Sequence, residues 1–282
     1  MTAIKDLELK SIQYRREILS MIKKAGAGHT AGDLSCIDIL NVLYNHSMDI
    51  RPENFASPHR DHYIQSKGHS VEALYAVLAD KGFYSIIDLY TLNQYQSHFV
   101  GHPTRAVNGI EHNTGALGHG LSVAVGIALA FKKDHLPYRV FTLLGDGELE
   151  EGSNWEACMS AAHYQLDNLI AIVDRNMLQI TDYTENISQL EPLEDKFRAF
   201  GFAVKSVNGN SIPELITVFD ATPFERGKPN LVMARTVKGK GISFIENNLA
   251  WHHHAPNQDE FQVALRELDQ AEMKWKQAYE PG

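Results

Sequence analysis

Cysteine is almost missing from this sequence. Cys36 and Cys158 are the only two in 282 residues, too few for a disulfide framework, and each lies in an apolar helical context where a small buried thiol is the default. A reducing cytoplasm is the expected compartment. Long apolar runs are missing too. Leu121 to Phe131, the longest useful one, falls short of the roughly 20 residues that span a bilayer, so no membrane association is expected. The opening MTAIKDLELK lacks the basic start, apolar stretch and small-residue cleavage site of a secretory signal. Positive charge is in deficit as well: 26 Lys and Arg stand against 35 Asp and Glu, for a net charge of -9. Without a local basic cluster that balance repels a phosphate backbone and argues against nucleic acid as a partner. No internal repeat, low-complexity tract or Pro/Ser linker divides the chain, so residues 1–282 read as one domain.

What is present is ordinary globular material, 44% hydrophobic and 22% charged. Ile4, Leu7, Ile12, Ile18, Leu19 and Ile22 recur at mostly helical intervals over residues 4 to 24, and Gly26 and Gly28 then break the pattern. Asp33 is placed to cap a second helix reaching Tyr44, and Val71 to Leu78 reads as a third, opened by the turn Gly68-His69-Ser70. The first third is thus expected to be helical with polar, His-bearing turns. From about residue 138 short β-rich runs (Val140 to Leu144, Leu169 to Val173, Ala203 to Val207, Leu231 to Ala234) alternate with helical stretches at Asn154 to Tyr164, Leu193 to Phe200 and Pro213 to Phe219. That alternation predicts α/β architecture, a parallel β-sheet flanked by helices on both faces. Asp259 to Tyr279 is a charged amphipathic tail helix.

In such a sheet ligands bind beyond the carboxyl ends of the strands. Gly145-Asp146-Gly147 follows one strand and Asp174-Arg175-Asn176 the next, so Asp146 and Asn176 leave the same sheet edge one crossover apart. Each is also an acceptable plain turn. Together they offer the few hard oxygens with which Mg²⁺ is held when phosphate and water complete its shell.

Gly145-Asp146-Gly147 with Asn176 thirty positions after Asp146 is similar to the diphosphate-binding signature of thiamine diphosphate enzymes. The resemblance implies that Asp146, Asn176 and the Leu178 carbonyl hold a cation, Mg²⁺ (or Ca²⁺ or Mn²⁺), that anchors the diphosphate. Gly26-Ala27-Gly28-His29, Lys67-Gly68-His69, Gly101-His102-Pro103 and Gly115-Ala116-Leu117-Gly118-His119-Gly120 occur in that order, and the whole set resembles the N-terminal, diphosphate-binding half of transketolase. By that resemblance His29 faces the substrate, His69 contacts the diphosphate, His102 lies near the donor's hydroxyls, and Gly115, Ala116 and Leu117 touch the aminopyrimidine. Glu151 matches a glutamate at a subunit contact, although an acidic run before a helix accounts for it equally well. In Trp251-His252-His253-His254-Ala255-Pro256, alignment on His-x-Ala-Pro gives His253 the place of a histidine touching diphosphate and substrate. Adjacent histidines on one strand do not converge on a tetrahedral zinc without further ligands.

Thr30, Ala116, His119 and Met177 depart from the family pattern, and none removes a matched ligand. The resemblance implies transfer of a two-carbon ketol unit from a ketose to an aldose, either the ordinary pentose phosphates or unusual sugar phosphates or sulfonated sugars, with His29, His102 and His253 moving protons. It further implies a separate C-terminal subunit carrying the pyrimidine-binding half, in an α2β2 assembly. A deoxyxylulose phosphate synthase and the α chain of a 2-oxo acid dehydrogenase lack the ordered histidines, and a non-catalytic module would not need them. Gly115-x-x-Gly118-x-Gly120 is not the glycine order of a dinucleotide site.

Overall fold

The computed structural model describes residues 3–279, so the two ends of the expected domain span, residues 1–2 and 280–282, lie outside it. Five parallel strands form one sheet in the order β1-β2-β3-β5-β4: β1 His62–Gln65, β2 Val140–Gly145, β3 Leu169–Arg175, β4 Ala203–Asn208 and β5 Asn230–Arg235. Helices α1 Ile4–Ala25, α2 Thr30–Val42 and α3 Val71–Asp80 precede most of the sheet. α4 Gly120–Lys133 leads into β2, α5 Gly152–His163 links β2 to β3, α6 Thr184–Ile187 and α7 Leu193–Ala199 follow β3, α8 Ile212–Asp220 links β4 to β5, and α9 Gln258–Tyr279 closes the chain.

Side chains alternate across a strand, and that alternation makes two cores. Phe141, Leu143, Ile170, Ile172, Val232 and Ala234 face one side, where Leu19, Leu40, Leu74 and Phe219 cover them. Val140, Leu144, Ala171, Val173, Leu231 and Met233 face the other, against Leu121, Ala128, Ala161 and Phe197. β2 and β3 are buried along their whole length, as central parallel strands require.

The expected elements from residue 140 onward match within a few residues, and β1 is an addition to them. Its four residues, His-Tyr-Ile-Gln, include two polar ones and carry no alternation that distinguishes them from a turn. α1 ends as the glycines imply: Gly26, at φ 72°, donates its N–H to the Ile22 carbonyl. Asp33 does not cap its own helix. α2 begins three residues earlier, and the Asp33 carboxylate accepts from Ala73 N of α3 at 2.9 Å. Among the described residues no helix is long and apolar enough to cross a membrane.

Candidate functional site

The carboxyl ends of β2 and β3 open on a cavity of about 560 Å³. Asp146 is fixed there from three directions. Its Oδ1 accepts from Gly147 N at 2.9 Å, and its Oδ2 accepts from Met177 N at 2.6 Å and Arg175 Nη1 at 3.2 Å. Met177 achieves this at φ 70°, a left-handed conformation uncomfortable for a side chain, which a glycine would adopt freely. Burial raises the Asp146 carboxyl above its usual range and Asp174 adds to the rise, against which Arg175 works only in part. Arg175 is itself buried and spans Asp146, Thr184, Glu185 and Glu191.

Asn176 and Leu178 stand on the same wall. The Asn176 Oδ1 accepts from Leu178 N at 3.2 Å, and the Leu178 carbonyl accepts from Lys238 Nζ at 2.7 Å. Carboxylate, amide and carbonyl oxygens are a hard donor set suited to Mg²⁺ or Ca²⁺ with phosphate oxygens completing the shell. Among the described residues no three His, Cys, Asp or Glu side chains are grouped so as to hold a metal. Raised and incompletely compensated, Asp146 fits such a cation.

Cationic and imidazole groups face this set. Lys67, fully buried, ion-pairs with Asp174 and donates to the Gly32 carbonyl at 3.2 Å. Lys238 also meets His252 Nδ1 at 2.9 Å, and burial together with Lys67 brings its ammonium down to about 8. His29 is central: its ring lies 5.2 Å from His69, 6.2 Å from His102, 5.6 Å from His252 and 4.6 Å from His253. Burial, then His253, His102 and the two lysines, bring His29 down to about 4. Burial and Lys238 take His252 to about 3, and burial with Lys67 puts His69 well below its ordinary value. The inner imidazoles are therefore neutral at pH 7, able to accept a proton, in a cavity that favours an anion.

Gly115 shapes the opposite wall at φ 140°; a Cβ on it would come within 2.8 Å of the His102 ring. Gly115 and Leu117 line the cavity, whereas Ala116, between them on the same turn, is exposed. Gly145, Gly147 and His102 are also on the wall. Glu151 is exposed and outside the cavity, and Glu150 lines it instead. His253 sits exposed at the rim, and His252 takes the inner position. The cause is local: the turn Leu249–Trp251 buries Trp251, and the backbone of His254 pairs with His29, so the two intervening imidazoles divide between inside and rim. Three identical neighbours carry no sequence signal for this choice.

Lys67, Lys238 and Glu148 join the site without having been expected there. Glu148, buried, accepts from Ser66 Oγ and, at 3.0 Å each, from Gly118 N and Gly145 N, tying three loops together. Only Lys67 has a visible cue, its place beside Gly68-His69.

Residues 9–276 match the family described as transketolase, thiamine diphosphate binding domain. The chain is 45% identical over 267 residues to an apulose-4-phosphate transketolase subunit of Phocaeicola vulgatus, covering 95% of each. It is 43% identical over 265 residues to the 6-deoxy-6-sulfo-D-fructose transketolase subunit SqwG of Clostridium sp., covering 94% of this chain and 96% of that one. The transketolase of Campylobacter jejuni superposes with a TM-score of 0.83 at 30% identity over all of this chain and 49% of its own. The chain thus spans about half the length of that solved relative.

Proposed function

Because this chain belongs to the transketolase family, we propose that it is the diphosphate-binding subunit of a two-chain transketolase, moving a two-carbon ketol unit between sugars. The observation that carries the reading is the meeting, in one cavity, of the Asp146, Asn176 and Leu178 oxygens with Lys238 and the neutral imidazoles. In this reading residues 1–282 act as one domain, and Asp146, Asn176 and the Leu178 carbonyl hold the divalent cation. Lys238 and His69 receive the diphosphate charge. Gly115 and Leu117 leave room for a flat ring.

Bound thiamine diphosphate supplies the carbanion chemistry. The protein's share is proton handling: His29, neutral and surrounded by imidazoles, accepts a proton from a substrate hydroxyl, with His102 and His252 in reach to exchange it and His253 at the mouth to orient the incoming sugar. The Phocaeicola and Clostridium relatives are named for ketoses carrying a phosphate or a sulfonate, and we extend to this chain a donor with such a terminal anion. Relatives of the same length named as subunits support a separate partner chain, which in this reading carries the pyrimidine-binding half and assembles as two copies of each. Two free, buried thiols suit the cytoplasm.

Titration calorimetry with thiamine diphosphate, with Mg²⁺ and then with a chelator, tests the site on the reconstituted complex. Metal-dependent binding that Asp146→Ala removes is the expected result. Metal-independent binding, or near-normal affinity in the variant, overturns the cation assignment.

A further inference from the structure

Behind the wall that carries His29 and His69 lies a second pair of acids that the proposed chemistry does not use. Asp33, in the first turn of α2, and Glu72, in the first turn of α3, are both 0% exposed. Their carboxyl groups lie within hydrogen-bonding reach of each other. Asp33 Oδ1 accepts from Ala73 N, yet Asp33 Oδ2 and both oxygens of Glu72 receive no hydrogen bond from any described donor. Two ionised carboxylates are acceptors only, and neither could satisfy the other.

Among the described residues one cation, Lys67, acts on Asp33 from a distance, and none donates to the open carboxylate oxygens. The ammonium of Lys67 is committed to Asp174 and the Gly32 carbonyl, and Asp174 is further held by Ser35 and Thr236. Cys36, on the same helix as Asp33, is a thiol that burial pushes up to about 12 and so carries no charge. His69, one turn away on the α3 side, is kept neutral by burial and by Lys67. Burial drives both Asp33 and Glu72 upward; Asp33 further opposes ionisation of Glu72, whereas Ala73 N, Lys67 and the hydrogen bond with Glu72 favour the ionised form of Asp33.

We propose that Asp33 and Glu72 share one proton at neutral pH, and that this acid–carboxylate pair is a positioning device locking the start of α2 to the start of α3. The consequence for the cavity is direct. His29 immediately precedes α2 and His69 stands two residues before α3, so the pin sets the 5.2 Å approach of their rings. It does so without drawing on the ammonium groups that face the ligand.

The proton leaves a signature in the full chain. Infrared spectra at pH 7 should show a protonated-carboxyl stretch that both Glu72→Gln and Asp33→Asn remove. A carboxyl that holds its proton above the pH where the unfolded chain releases it makes folding proton-binding. Stability from it is therefore full at low pH and falls as pH rises, by about tenfold in the unfolding constant per pH unit. Glu72→Gln, which keeps a hydrogen bond to an ionised Asp33, should flatten that slope between pH 6 and 8 and leave the His29 and His69 ring resonances in place. Glu72→Ala should displace those resonances. The proposal fails if the stretch is absent at pH 7, if Glu72→Gln leaves the pH slope unchanged, or if Glu72→Ala folds with both resonances unmoved. Should Glu72→Ala not fold, the infrared and pH readouts on the two amide variants still decide. None of these measurements involves the cofactor, so their failure is distinct from failure of the proposed function.

Discussion

Asp146 has every geometric mark of a ligand held ready: buried, oriented by two backbone N–H groups and backed by a guanidinium. Replacing it removes a charge and an oxygen from a site with few of either, so Asp146→Ala should lose metal-dependent binding entirely, as calorimetry will show. The histidines make a sharper contrast. His252 lies inside and His253 at the rim, so His252→Ala should cost turnover on the order of 10²–10⁴, the usual range for a proton-transfer group. His253→Ala should chiefly raise KM. Steady-state kinetics of the reconstituted enzyme separates the two, and equal effects would refute the inside-and-rim assignment.

Neutral imidazoles also contribute to the acid sensitivity of the free protein. His29 and His252 titrate near 4 and 3 when folded, against roughly 6.5 in an unfolded chain. Between those values the unfolded state binds more protons, so stability present above about pH 6.5 is lost as pH falls toward 4. The Asp33–Glu72 pair acts in the opposite direction over the same window, so the test is a difference: in thermal melts from pH 7 to 4, His29→Ala should lose less stability toward acid than the parent. A bound diphosphate acts oppositely by attracting protons to the ring, so histidine titration by NMR should move upward on adding ligand.

At the scale of elements, Met177 is the exposed weakness of the β3 end. Left-handed backbone costs a side chain about 1–2 kcal/mol, and glycine relieves this while adding unfolded-state freedom worth about 0.5–1 kcal/mol. Met177→Gly should therefore sit within about 1 kcal/mol of the parent in urea titrations, whereas Met177→Val, stiff at Cβ, should fall by more than that.

The same element shows what is legible in advance. β3 and its Asp-Arg-Asn end can be read because five apolar residues stop abruptly at three polar ones, the pattern of a buried parallel strand meeting its ligand edge. β1 cannot, since its identity as a strand comes from pairing with β2 and not from its own residues. Asp33 looks like a helix cap and is one, but for α3, a distinction only tertiary contact creates. Lys238 is invisible for a related reason: sixty positions separate it from Leu178, and the loop after β5 brings them together.

For the whole molecule, the proposed site is open on the side where Leu117, Ile180 and Ile187 line the cavity. Ile180 and Ile187 are 70% and 44% exposed and Tyr183, between them, 49%, more apolar area than a catalytic rim needs and suited to cover by a second chain. We expect the chain by itself to show no ketol transfer, and the mixture with the proposed pyrimidine-binding partner to sediment as a larger species with activity. Activity of the isolated chain, or a mixture that sediments as separate components, would remove the two-chain reading.

The packing of α9 along α1 gives that experiment its means. The Trp275 indole donates to the Lys5 carbonyl at 2.9 Å, which brings the last turns of α9 beside the first turn of α1. α1 is 22 residues long, about 33 Å at 1.5 Å per residue, and it delivers His29 to the cavity at its far end. A dye attached near Gln277 therefore rides at the opposite end of a rigid rod from the chemistry, within energy-transfer range of a fluorescent ligand in the cavity yet out of its way. The helix pair is a built-in ruler, against which arrival of a partner at the open rim can be timed optically.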